Sequence, residues 1–133
     1  MRELVDAVVA ALQEACGGEV YPGFDAVPIP RKSDRRFTVV ETERLQLDLP
    51  FPDGAGAVHP FTAVLRISVL VPMTVPVSVA EELLYGAILP AIEPMGAVVC
   101  EVQPALGDAK LQRTVLRASV RFRGIYLTGE DAE

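Results

Sequence analysis

His59 is the single histidine of this 133-residue chain, and Cys16 and Cys100 are its two thiols. General-base catalysis needs a histidine with an orienting partner, and a metal needs several ligands at set spacings. Val58–His59–Pro60 has no Cys–His or Ser–His companion at any motif spacing, so His59 reads as a loop histidine without a role. Cys16 falls just past the C-terminus of a helix, the wrong end for lowering a thiol pKa. Cys100 alternates with polar Glu101 along a strand, which points it at the covered face; both thiols read as core or near-core. Glu41 and Glu43 stand two apart on a strand, roughly 7 Å by strand rise, a separation at which paired carboxylates act on glycosidic bonds. Meeting basic residues across a sheet is the better reading of the same pair. The glycines match neither the phosphate loop nor the dinucleotide fingerprint. The sequence thus assigns no catalytic residue, cofactor or metal ligand, and the expectation is a non-enzyme.

What the sequence does concentrate is charge. The chain has 12 basic and 18 acidic residues, a net charge of −6 and a pI near 4.8. Nine of the 12 basic residues fall in two short segments. Arg31, Lys32, Arg35 and Arg36 surround Asp34 in a loop, while Lys110, Arg113, Arg117, Arg121 and Arg123 occur in a stretch without any acid. One reading is a solvated sheet face with cross-strand partners in Glu41, Glu43, Asp48 and Glu101. The other is a basic face that meets an acidic face of a neighbouring copy, since a homo-oligomeric ring needs two different, complementary patches. The interface candidates are therefore Arg31, Lys32, Arg35, Arg36, Arg113, Arg117, Arg121 and Arg123. The acidic balance, and the absence of aromatics interleaved with these arginines on their own face of the strand, disfavour nucleic acid as the partner.

The elements that would position these charges follow from periodicity. Leu4, Val5, Val8, Val9 and Leu12 recur at helical steps, predicting a helix from Arg2 to Ala15 that ends at Cys16–Gly17–Gly18. Residues 20–36 carry turn and proline signals. Phe37 to about Leu49 and Phe61 to Val71 alternate with a period of two and should pair antiparallel across Pro50–Gly56. Ser78–Val79–Ala80–Glu81 reads as a capping box opening a second helix, with Val79, Leu83, Leu84, Ala87, Ile88 and Ile92 as its apolar stripe. Pro90 predicts a kink or an early end, because it removes an internal hydrogen bond. Val98–Val102 is a strand, Leu106–Lys110 a turn, and about Gln112 to Leu127 a long last strand. On that strand Leu116, Ala118, Val120, Phe122 and Tyr126 share one face, and Arg113, Arg117, Ser119, Arg121 and Arg123 the other.

Half the residues are hydrophobic, 23% are charged and mean hydropathy is +0.32, which excludes a disordered chain. No apolar run nears the roughly 18 residues of a membrane span, and Met1–Arg2–Glu3 opens a helix instead of a secretory signal, so a cytosolic protein is expected. The reading is one α+β domain over 1–133 with a frayed acidic tail at 128–133. Its order is α–β–β–α–β–β, a two-layer sandwich with a mainly four-stranded antiparallel sheet and both helices on one face.

This layout resembles a known family. The amphipathic helix closing on Gly17–Gly18, the step Val20–Tyr21–Pro22–Gly23, and the strand Phe37–Thr38–Val39–Val40 are shared features. So are the strand Leu65–Val71 running into the helix from Ser78, and the long terminal strand. Over residues 2–127 the chain resembles the small tail terminator, or tail completion, proteins of long-tailed bacteriophages and their prophage relatives. The resemblance implies a virion component made in the bacterial cytoplasm, whose copies assemble into a ring, often a hexamer. The ring would cap the tail tube and offer a surface to the head-tail connector, with no catalysis, cofactor or membrane. Another neck, connector or minor capsid subunit is the first alternative. A small-molecule-binding domain or enzyme is the second, with His59, Tyr21, Tyr85 and Tyr126 as scattered candidates.

Overall fold

The computed structural model describes residues 2–16, 19–23, 36–47, 58–108 and 113–127. The predicted interface residues Arg31, Lys32 and Arg35, the glycine cap Gly17–Gly18 and the acidic tail 128–133 lie outside the described residues.

Helix α1 spans Arg2–Cys16, one residue beyond the expected end. Its apolar stripe buries Val5, Val8, Val9 and Leu12. A two-residue strand, β1 (Val20–Tyr21), follows and pairs parallel with β2 (Phe37–Leu47). The Gln13 amide donates to the Val20 carbonyl at 3.1 Å, tying α1 to this strand. Strand β3 (Val58–Pro72) pairs antiparallel with β2 and with the last strand, β6 (Arg113–Leu127). It begins earlier than expected, so His59 sits in strand register opposite Tyr126 and not in a loop.

Helix α2 covers residues 77–95 and departs from the expectation at both ends. It starts at Val77 with Pro76 as N-cap and no side-chain capping bond, so the capping box at Ser78 does not form. The fixed proline φ already sets the entry angle, and Ser78 lies inside the first turn. Pro90 does not end the helix, whose α-helical turn Leu89–Ile92 runs through it. Ahead of it the α-helical turn Val77–Leu83 widens into a π-helical turn, Leu84–Ile88. The Leu89 amide then donates to the Leu84 carbonyl, five residues back. A widened turn makes room for the proline ring and re-registers the ladder around its missing N–H. An α-helical turn, Leu89–Ile92, and a 3-10 turn, Glu93–Met95, complete α2. Gly96 ends it at φ 84°, a left-handed conformation that glycine adopts without a Cβ clash.

Strand β4 (Val98–Val102) pairs antiparallel with β6, as does the three-residue β5 (Leu106–Asp108), where a turn was expected. The sheet is therefore six-stranded and mixed, in the order β1-β2-β3-β6-β4 with β5 also on β6, and not a four-stranded antiparallel sheet. β3 and β4 both run antiparallel to β6, so β3–α2–β4 is a split β-α-β unit with β6 between its strands.

Both helices pack on the same face. Leu12 and Val8 of α1 and Leu84, Ile88 and Ile92 of α2 join Leu65, Ile67 and Val69 of β3 and Ala118, Val120 and Phe122 of β6 in one cluster. The α+β class and the single helix-covered face are thus as the strand periodicity implied.

Candidate functional site

The face of the sheet turned away from the helices is divided along its length. At one end it carries a second small core of Phe37, Val39, Leu70 and Val115, with Tyr21 packed against it. The Tyr21 and Phe37 rings meet edge to face, 6.4 Å apart at 75°. The Arg113 guanidinium carbon lies 5.1 Å from the Phe37 ring centroid, and Arg113 is 0% exposed. Alternation placed Arg113 on the correct side of β6 but among docking residues, whereas its full burial withdraws it from any docking surface. Arg113 is part of the packing, where a guanidinium on an aromatic face gains about 2 kcal/mol or more when desolvated.

The other end of this face is an arginine field. Register sets Arg117 opposite Ser68, Ser119 opposite Arg66, Arg121 opposite Val64 and Arg123 opposite Thr62. Arg44 stands opposite Val64 from the β2 side. Arg66 donates to Glu41 across strands at 3.4 Å, with the two side chains 42% and 35% exposed. Such a pair contributes at most about 1 kcal/mol. The Ser119 hydroxyl donates to a Glu43 carboxylate oxygen at 2.8 Å, reaching from β6 over β3 to β2. Glu43 is able to do so because a bulge between Thr42 and Arg44 inserts it into the strand. The carboxylates therefore do meet cross-strand groups, and Arg66, not an arginine of the last strand, takes Glu41.

Arg44, Arg117, Arg121 and Arg123 make no ion pair among the described residues. The Nε atoms of Arg66, Arg117 and Arg121 are buried without a hydrogen-bond partner there, although the three residues are only half-buried. Their stems lie down on the sheet while charge remains at the surface, the behaviour of long cationic side chains over apolar ground such as Val64. Arg44, Gln46, Phe61, Thr62, Arg121, Arg123 and Gly124 enclose an open concavity of about 510 Å³. Residues two apart on a strand stand roughly 7 Å apart, where like charges repel by about 0.6 kcal/mol in water and about 2 kcal/mol at an effective dielectric of 20. Three arginines around one hollow therefore favour an occupant that is anionic and hydrogen-bonds to Gln46 or Thr62.

Arg36 is exposed, and its charge opposes the upward shift that burial gives the Cys16 thiol, which places it by the end of α1 and not in the field. Of the predicted interface residues, the structure brings together Arg117, Arg121 and Arg123, and it adds Arg44 and Arg66 from neighbouring strands. Both additions sat at polar positions of alternating strands; only the register, which a single sequence does not reveal, joins them to the field.

Cys100 corrects another expectation. It occupies a bulge between Val99 and Glu101 and is exposed. Cys16 is half-buried, and burial raises its thiol pKa above the ordinary value. A thiol-reactive probe at neutral pH will thus label Cys100 promptly and Cys16 slowly, with Cys16 catching up as pH rises. Equal rates would contradict this placement. Among the described residues no group of three or more His, Cys, Asp or Glu is gathered for a metal ion.

Two further surfaces complete the site. β4 is the sheet edge, and its Val98 and Val99 are 48% and 43% exposed. The helix layer carries exposed Glu3, Asp6, Glu14, Glu81, Glu82 and Glu93, with Arg2 as the sole base of α1 and none in α2. Charge is thus segregated between the two layers. Compared with protein-family models and with curated protein sequences, the chain matches neither.

Proposed function

We propose that this chain is a structural virion subunit of the tail-terminator kind, working by assembly with copies of itself and with other virion parts. In this reading its copies form a ring on the finished tail tube, and the ring presents a surface to the head-tail connector. The observation that carries the reading is the arginine field. In a chain of net charge −6, four arginines on one sheet face lack any ion-pair partner among the described residues. A cationic face left unneutralised on an acidic protein is a docking surface that steers and registers a complementary partner. The apolar edge β4 supports the same reading, because exposed edges are templates for pairing and are normally covered.

The role is tested on tail tubes polymerised from the cognate tube protein. Added to growing tubes, the chain is expected to appear by electron microscopy at one end only and to stop elongation. Tubes of unchanged length with bare ends would overturn the role.

A further inference from the structure

Resting on the reading that copies assemble, we infer which surfaces meet: the acidic outer side of α2 in one copy seats on the arginine concavity of the next. The donor surface is defined by the helix. Ala80, Leu84, Ile88 and Ile92 are buried at steps of four, leaving Glu81, Glu82 and Tyr85 exposed beside them. Glu81 and Tyr85 are four residues apart and so share a side of the helix. Tyr85 is 53% exposed, a large aromatic at the surface next to two carboxylates.

The acceptor is the hollow bounded by Arg44, Arg121 and Arg123, with Gln46 and Thr62 as neutral hydrogen-bonding groups. Guanidinium forks bind carboxylates in two parallel hydrogen bonds, and they also stack on a tyrosine ring, so one acidic–aromatic helix turn satisfies both habits. The two surfaces sit on opposite layers of the sandwich. A contact between different patches is heterologous, and repeated it builds a ring or a stack, whereas a pairing of like patches would stop at two copies. Arginine and tyrosine are also, with tryptophan, enriched among the residues that dominate interface energy.

Charge reversal tests this directly. One variant carries Arg121→Glu and Arg123→Glu, the other Glu81→Lys and Glu82→Lys. Each alone is expected to weaken self-association by roughly a hundredfold or more, since each sets like charges face to face. An equimolar mixture restores assembly, with the two variants alternating, because every junction again pairs opposite charges. That recovery also shows both variants to be folded. If the wild type assembles and neither reversal disturbs it, this contact is overturned while self-assembly stands. If the wild type itself stays monomeric, the proposed function fails first. If the arginine variant assembles normally but loses binding to a fluorescent DNA duplex that the wild type holds, the hollow serves nucleic acid and the inference is overturned.

Discussion

Phe122→Ala will lower the unfolding free energy by about 3–5 kcal/mol, the range for emptying a large aromatic site in a packed core. Phe122 is 2% exposed, stands opposite Ala63 in the β3–β6 register, and belongs to the cluster joining the strands to both helices. Its register partner Ala63 is small and fully buried, so it cannot fill the vacated space. Denaturant titration followed by far-UV circular dichroism checks the value, and the melting temperature should fall on the order of 10–20 °C. A loss below about 1 kcal/mol would place Phe122 outside any shared core and would undo the two-layer arrangement.

Arg113→Ala is expected to separate the two kinds of arginine on one strand. Arg113 is wholly buried over Phe37, so truncation removes stem packing and a desolvated ring contact together. A loss of about 2–4 kcal/mol follows. Arg123→Ala, made at an exposed position of the same face, should stay within about 0.5 kcal/mol of wild type. In self-association the order inverts, since Arg123 borders the hollow and Arg113 does not. Equal stability losses from the two substitutions, read by the same titration, would contradict the division of this face.

How far the fold was legible depended on element length. Helix α1 and the long strands β3 and β6 announced themselves because a period of two or 3.6 needs several residues to show. β1 has two residues and β5 three, too few for any period, and so the parallel pair and the sixth strand went unseen. Bulges erased other signals. The one beside Glu43 puts Thr42 and Arg44 on opposite faces although their spacing predicts one. The one at Cys100 turns an expected core thiol outward. The capping box failed because Pro76 had already fixed the helix entry. For the site, alternation identified the arginines of β6, but neither the burial of Arg113 nor the inclusion of Arg44 and Arg66 was readable, since both depend on which strands become neighbours.

In the proposed assembly, charge between unlike faces holds the copies of this chain together. Its most direct test is the mass of the wild-type protein in solution, measured by sedimentation across a range of concentration and salt. A discrete multiple of 14.3 kDa is expected at low salt. That species should dissociate as added salt shortens the screening length from about 10 Å at 0.1 M to about 3 Å at 1 M. A 14.3 kDa particle at every concentration and every salt level would contradict it.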